Sequence, residues 1–139
     1  METIHEIPGK VKVEWDPSTL AVIDHWSAMA LVSLAEFRTA ILERGLNYAV
    51  AHHGKAWIAD NSAAKGAFNQ DIQGLIGSEV FPAFAKAGIK SFITVASADS
   101  PLANLSAKKY QAKLGPNGIQ LIEVPTLAEG LRWLREHAR

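Results

Sequence analysis

Ala56-Trp57-Ile58-Ala59-Asp60 is a short apolar run that ends in a carboxylate and lies between two polar loops. A run of this length and composition is typical of a strand buried on both faces of a parallel sheet. Two more runs, Phe92-Ile93-Thr94-Val95-Ala96 and Ile119-Gln120-Leu121-Ile122-Glu123-Val124, predict further strands. Helical patterns separate the three runs, and parallel strands need such crossover connections. The centre of the chain therefore predicts an α/β fold.

Capping residues and apolar spacing predict four helices. The residues suited to begin them are Ser33, Asn69, Ser100 and Thr126. The expected ends of the first three helices are Gly54, Gly88 and Leu114. Because Pro82 removes one hydrogen bond from the second helix, we expect a kink or a restart of that helix near Ser78.

An antiparallel hairpin is predicted before the first helix. Val11-Lys12-Val13-Glu14-Trp15 alternates apolar and charged residues, as a half-buried strand does. Asp16-Pro17-Ser18-Thr19 suits a type I turn, and the run from Leu20 to Trp26 returns as the second strand. The predicted order is ββαβαβαβα, a mixed and mostly parallel five-stranded sheet with four helices and its first strand antiparallel at an edge. Residues 1–139 have the length of a single domain.

The composition excludes several classes of function. The chain has 14 Lys and Arg and 14 Asp and Glu, so it lacks the basic surface of a protein that binds nucleic acid. It has no cysteine, which excludes disulfides, a thiolate nucleophile and a zinc site built on sulfur. Its longest apolar run is far too short for a membrane span. We expect a cytoplasmic protein with no nucleic-acid partner and no membrane span.

Signals for catalysis, cofactors and metals are also missing. The sequence has no glycine-rich phosphate loop, no Gly-x-Ser-x-Gly motif and no pair of histidines at the i, i+4 spacing of a metal site. His25 follows Asp24 on a predicted strand, but neighbouring strand residues point to opposite faces and cannot form a dyad. A structural or solvent-facing role is expected for His25. We therefore predict that the protein is not an enzyme and has no cofactor and no metal.

Polar residues gather where the predicted parallel strands end. Asp60, Asn61 and Ser62 follow one strand, and Asp99 and Ser100 follow the next. Ligands and partners of open α/β sheets bind at the carboxyl ends of the strands, so these five are candidate binding residues. Helix capping already explains Ser100, whereas the polarity of the first three is unexplained. A hydrolase with Asp60 or Asp99 as its base is an alternative that rests on this placement alone.

Three short motifs give the chain a resemblance to a known family. They are Trp57-Ile58-Ala59-Asp60-Asn61, Val80-Phe81-Pro82 and Ala87-Gly88-Ile89-Lys90. In order and spacing they resemble the SpoIIAA-like branch of the STAS domains, small bacterial proteins also described as STAS/SEC14-like. The similarity extends over nearly the whole chain, from the hairpin around Trp15 to Leu131-Arg132-Trp133-Leu134. It implies a mixed sheet with packed helices, and a role in binding or regulation rather than in catalysis.

The resemblance also implies a candidate phosphorylation site. In the anti-anti-sigma factors that share this fold, a serine after the third strand, within Asp-Ser-Ser-Gly, is phosphorylated to break a partner complex. Ser62 occupies the similar place in Asp60-Asn61-Ser62. The sequence departs from the family pattern, since Asn61 replaces the first serine and Ala63-Ala64-Lys65-Gly66 replaces the glycine-containing helix start. The alternative role for Ser62 is turn formation in a polar loop.

Two functions follow as hypotheses. The first is a non-enzymatic regulatory domain that binds a protein partner, or a second copy of itself, through the strand-end loops and the second helix. The residues expected to supply its apolar surface are Val80, Phe81 and Phe84. The second is a carrier of a small apolar ligand or lipid, of SEC14-like type. The expected walls of its cavity are Trp26, Trp57 and Phe68.

Overall fold

A mixed sheet of seven strands runs through the described residues of this protein, which are 1–96 and 112–137 in a computed structural model. The strands are β1 (Glu2–Ile7), β2 (Val11–Asp16), β3 (Ala21–Trp26), β4 (Ala56–Asp60), β5 (Ser91–Val95), β6 (Lys113–Leu114) and β7 (Gln120–Val124). Their order across the sheet is β1-β2-β3-β4-β5-β7-β6. Neighbours among β3, β4, β5 and β7 are parallel, and the other pairs are antiparallel. The predicted α/β class and the four parallel strands are confirmed.

The sheet has two more strands than the five that the sequence predicts, and both lie at its edges. β1 pairs with β2, so the first predicted strand is antiparallel but does not form the edge. Most β1 side chains are polar and none is buried, so the strand lacks the apolar alternation of a half-buried strand. β6 is two exposed residues that pair with β7, where the sequence predicts the end of the third helix at Leu114.

Two of the predicted helices are continuous but contain a π-helical stretch. The first consists of α1 (Leu34–Phe37), π1 (Arg38–Gly45) and α2 (Leu46–Ala51). The second consists of α3 (Gln70–Leu75), π2 (Ile76–Val80) and α4 (Phe81–Ala87). The C-terminal helix is α5 (Leu127–His137). Residues 100–111 of the predicted third helix lie outside the described residues, so its body is not compared.

Of the predicted helix starts, those at Ser33 and Asn69 agree with the structure, and Ser100 lies outside the described residues. The hydroxyl of Ser33 accepts a hydrogen bond from the Glu36 N–H at 3.1 Å, and Oε1 of Glu36 accepts one from the Ser33 N–H at 2.9 Å, which completes the capping box. Oδ1 of Asn69 accepts from the Ile72 N–H at 2.9 Å and caps α3. The change from α to π geometry at 76–80 lies where the sequence predicts a kink near Ser78.

The end of the first helix differs from the prediction. The helix ends at Ala51, and His53 rather than Gly54 adopts the left-handed conformation, with φ of 57°. Gly54 lies in a tightly packed place instead, since a Cβ there would lie 3.0 Å from Cβ of Ala49 and 3.3 Å from the Trp15 ring. Gly88 ends the second helix with φ of 94°, as predicted.

The sheet carries a hydrophobic core on each face. Successive residues of a strand face opposite sides, so Val22 and Trp57 pack with α1 to α4, whereas Ile23 and Ile58 pack with α5. We call these sides the first face and the second face. No helix within residues 1–96 and 112–137 is long and apolar enough to cross a membrane.

Candidate functional site

A cavity of about 250 Å³ lies between the first face of the sheet and the helices that cover it. It sits at the carboxyl ends of β3, β4 and β5, the place where open α/β sheets bind their ligands. The residues expected as cavity walls, Trp26, Trp57 and Phe68, all line it. Most of the other lining side chains are apolar as well. The structure therefore contains an apolar cavity at the carboxyl ends of the strands, where the sequence predicts polar binding residues.

The register of the strands places polar groups on the floor of this cavity. Asp24 of β3 pairs with Ala59 of β4, and Thr94 of β5 pairs with the same Ala59 on its other side. Paired residues of a parallel sheet share one face, so the three side chains form a row. Asn61 follows β4 directly and lines the same cavity. An otherwise apolar space is thus faced by a carboxyl, a hydroxyl and an amide.

Asp24 is a carboxylic acid buried in the core. Asp24 is 4% exposed, and its Oδ2 accepts a hydrogen bond from Nε1 of Trp57 at 2.7 Å. Burial raises the pKa of Asp24 to about 7, and the hydrogen bond from Trp57 opposes this only in part. The carboxyl is therefore poised to change its charge near neutral pH.

Two acceptor atoms on the cavity floor are buried without a hydrogen-bond partner among the described residues. They are Oδ1 of Asp24 and Oδ1 of Asn61. Such atoms are uncommon, because burial without a hydrogen bond costs roughly 1–3 kcal/mol. Their presence in one cavity indicates a place where a bound molecule would supply the missing donors.

Aromatic rings form the walls. Trp26 stacks on Phe37 with ring centroids 5.6 Å apart and meets the edge of Phe68 at 4.7 Å. On the other side Trp57 stacks on Phe84 at 4.2 Å. Aromatic pairs stabilise one another beyond the area that they bury, so each wall is a set of mutually packed rings.

Both π-helical stretches border the cavity. Ile41 of π1 and Ile76 and Val80 of π2 line it. Gly45 of π1 lies against the Trp57 ring, where a Cβ would come within 2.7 Å of Cη2. A π-helical hydrogen bond joins residues five apart rather than four, and π-helical turns often mark a functional site. These stretches set the position of the helices above the cavity floor.

The residues expected to supply docking surface on the second helix are mostly interior. Val80 is 3% exposed and Phe84 is fully buried, whereas Phe81 is half-buried. All three line the cavity. Val80 and Phe84 therefore offer no surface to a protein partner. On the second helix they form part of the cavity wall instead.

A second cluster of polar groups lies on the second face of the sheet. Nδ1 of His25 is 2.7 Å from Oδ2 of Asp60, and Nε2 of His25 is 2.8 Å from Oε1 of Glu14. Oδ1 of Asp60 accepts hydrogen bonds from the N–H of Ser62 at 3.0 Å and from its hydroxyl at 2.7 Å. His25 therefore lies between two carboxylates, and three strands and the loop after β4 meet there.

These contacts shift two titrations in opposite directions. The hydrogen bond to Asp60 raises the pKa of His25, and the charges of Asp60 and Glu14 add to this against the effect of burial. Burial alone would raise the pKa of Asp60, but hydrogen bonds from His25 and Ser62 outweigh it and hold that pKa below the usual value. The contacts therefore favour the protonated form of His25 and the ionised form of Asp60.

The sequence prediction for His25 is confirmed in one part. Asp24 and His25 do face opposite sides of the sheet. The partners of His25, which are Asp60 and Glu14, come from neighbouring strands and were not predicted. Both oxygens of Asp60 are already hydrogen-bonded, and the Ser62 hydroxyl donates to Asp60 rather than to His25. This geometry offers neither a free base at Asp60 nor an activated serine.

Of the remaining predicted site residues, one lies on the surface and two lie outside the described residues. Ser62 is exposed, next to Asn61 on the cavity. Asp99 and Ser100 lie outside the described residues. Within residues 1–96 and 112–137, no group of His, Asp and Glu is arranged to hold a metal ion.

No protein-family model, curated protein or solved structure matches the chain. The geometry of the cavity and of its polar atoms is therefore the basis for a functional proposal.

Proposed function

We propose that this chain is a non-enzymatic, cytoplasmic, STAS/SEC14-like domain that binds a small, mainly apolar ligand in the cavity beside Trp57. The observation that carries the proposal is the cavity itself, an apolar space of about 250 Å³ with buried acceptor atoms on its floor. Such a concave apolar site with a few convergent polar groups is typical of small-molecule sites.

The volume limits the size of the ligand. An apolar cavity of about 150 Å³ holds benzene, and sites for drug-sized molecules measure roughly 300–1,000 Å³. A volume of about 250 Å³ therefore suits one aromatic ring with a short side arm. A long-chain lipid would not fit inside, so the small-ligand form of the carrier hypothesis is better supported than the lipid form.

The experiment is a titration of tryptophan fluorescence with propylbenzene, because Trp26 and Trp57 both line the cavity. We expect saturable binding and a higher melting temperature, since a ligand at about a hundredfold excess over its Kd stabilises the folded state by roughly 3 kcal/mol. Ala59→Leu adds three carbon atoms on the cavity floor and should abolish binding while the protein stays folded. Ala63→Leu, at an exposed loop position, is the matched control.

Two results would contradict the proposal. One is the absence of saturation by any small aromatic probe up to its solubility limit. The other is binding of equal strength to the wild type and to Ala59→Leu, which would place the probe elsewhere.

Partner binding through the strand-end loops is the second candidate function, and the exposure of Leu31 and Ser62 favours it. Leu31 is 68% exposed, and the Met29 N–H donates to the Lys65 carbonyl at 3.1 Å, which joins the two loops into one surface. Asn61 contacts the cavity one residue before Ser62. Occupancy of the cavity is thereby linked to the surface that a partner would bind, as a regulatory domain requires.

Self-association is the form of this second function that can be measured without a known partner. Sedimentation velocity of the wild type should show a concentration-dependent dimer, and Leu31→Asp should remain a monomer. A monomer at every concentration for both proteins would contradict binding to a second copy through these loops.

A further inference from the structure

The two unpartnered atoms on the cavity floor are both acceptors. Oδ1 of Asp24 and Oδ1 of Asn61 lack a donor among the described residues, and both side chains line the cavity. The other oxygen of Asp24 already accepts from Trp57 at 2.7 Å. The Trp26 side chain lowers the pKa of Asp24, but it does not form a hydrogen bond to Oδ1. A ligand that satisfies this floor must bring hydrogen-bond donors.

We propose that the cavity binds a small aryl-alkyl amine, with the ammonium group of the ligand between Asp24 and Asn61. This inference rests on the small-ligand function proposed above and specifies the polar end of that ligand. An ammonium has three donors and no acceptor, and a hydroxyl has one donor. A carboxylate ligand would bring only acceptors to a floor of acceptors, and its charge would repel that of Asp24.

The charges around the cavity agree with a cationic ligand. Asp24 is the one titratable group among the described residues that line the cavity, and none of the ion pairs in the described part of the chain includes it. Burial raises the pKa of Asp24 to about 7, and the hydrogen bond from Trp57 and the charge of His25 lower it only in part. The nearest charges that act on it, those of His25 and Asp60, lie on the other face of the sheet and oppose one another. An ammonium in the cavity would supply the missing charge.

The apolar walls suit the rest of such a ligand. Trp26, Trp57 and Phe68 line the same space as Asp24. The faces of aromatic rings attract cations, by about 2 kcal/mol where water is excluded. They also pack against an aromatic ring, and the volume of about 250 Å³ leaves room for one ring and a short arm. One molecule can therefore use both the floor and the walls.

The test compares phenethylamine, phenethyl alcohol and propylbenzene by tryptophan fluorescence titration of the full chain. The three probes share the ring and the length of the arm and differ at its end, which is an ammonium, a hydroxyl or a methyl group. At about pH 8 the amine should bind at least about tenfold more tightly than either neutral probe. As the pH falls below about 7 its affinity should fall by up to about tenfold per pH unit, because protonation of Asp24 removes the counter-charge. The affinity of propylbenzene should not fall.

Asp24→Asn should remove both the preference for the amine and its pH dependence, whereas the matched variant Asp71→Asn, at an exposed position of α3, should keep both. If Asp24→Asn does not fold, the ammonium assignment is still tested on the wild type, by comparing the affinities of the three probes and by the pH dependence of amine binding. Binding of a neutral probe as tight as that of the amine overturns the ammonium assignment and leaves the small-ligand function standing. Failure of all three probes to bind overturns both.

Discussion

Nδ1 of His25 lies 2.7 Å from Oδ2 of Asp60, and the two residues pair across β3 and β4. The other ring nitrogen contacts Glu14 of β2 at 2.8 Å. One imidazole therefore connects three adjacent strands at the end of the sheet where the cavity lies on the opposite face. Because Asp60 also accepts two hydrogen bonds from Ser62, the network reaches the loop that carries Asn61.

His25→Gln is expected to destabilise the fold in a pH-dependent manner. The pKa of His25 is raised in the folded state, so its contribution is fully present below the ordinary value of 6.5 and is lost as the pH rises through the folded-state pKa. At about pH 6 the variant should lose roughly 1.5–3 kcal/mol of unfolding free energy, as for hydrogen bonds to charged groups. Urea unfolding of both proteins from acidic to alkaline pH measures the difference, which should shrink as the pH rises.

His52→Gln is the control for this prediction, since His52 is exposed and has no side-chain hydrogen bond among the described residues. The difference in stability between His52→Gln and the wild type is the baseline with which the loss in His25→Gln is compared. A pH-independent difference for His25→Gln would show that the ring packs there as a neutral group.

Asp24→Asn should change the pH dependence of stability in the ligand-free protein. The folded-state pKa of about 7 exceeds the ordinary value of 3.8, so this proton stabilises the fold fully below 3.8 and no longer does so once the pH passes 7. Asparagine can still accept the Trp57 hydrogen bond and does not titrate. Relative to the variant, the wild type should therefore lose a few kcal/mol between about pH 4 and pH 7. Parallel stability curves across that range would contradict a raised pKa for Asp24.

The central part of the fold could be predicted because β4, β5 and β7 are apolar runs, and the sequence between them has helical patterns. The edge strands β1 and β6 could not, since exposed strands carry no apolar pattern. For the site, the sequence predicts the aromatic walls and Asn61, and the signal left unused is the carboxylate of Asp24 in a mainly apolar strand. A buried carboxyl of this kind marks a candidate functional residue.

The partners in the site depend on information that the sequence pattern does not contain. Strand alternation assigns Asp24 and His25 to opposite faces, but the register between strands decides that His25 meets Asp60. The cavity is the volume that remains after the rings of Trp26 and Phe84 are packed, and small shifts of side chains decide whether such a space stays open. Register and packing both arise from the whole chain.

Phe84→Ala should be far more destabilising than Phe81→Ala, although both residues lie on α4 and line the cavity. Phe84 is fully buried and stacks on Trp57 at 4.2 Å, whereas Phe81 is half-buried. Removal of a buried phenylalanine ring costs about 3–5 kcal/mol of unfolding free energy. The loss at Phe81 should be smaller, because part of its ring is already in contact with water in the folded protein. Chemical denaturation measures both values. Equal losses would show that Phe84 is not a core residue of the cavity wall.

A negative charge at Ser62 is expected to act on the cavity through Asp60. The Ser62 hydroxyl donates to Oδ1 of Asp60 at 2.7 Å, so a phosphoryl group there would remove this donor and place up to about two negative charges beside the carboxylate. Repulsion should move the loop that begins at Asn61, which lines the cavity. Ser62→Asp should therefore weaken binding of propylbenzene severalfold and lower the melting temperature.

Ser62→Ala separates the effect of charge from the loss of the hydroxyl. It keeps the backbone hydrogen bond to Asp60 at 3.0 Å and should cost only about 0.5–1.5 kcal/mol, with unchanged probe affinity. Ser78→Asp places the same charge at an exposed position of π2, and it should leave both stability and binding close to those of the wild type. Fluorescence titration and thermal unfolding of the three variants compare these effects. If Ser62→Asp and Ser62→Ala behave alike, the loop responds to the missing hydroxyl rather than to charge, and Ser62 is a turn residue rather than a switch.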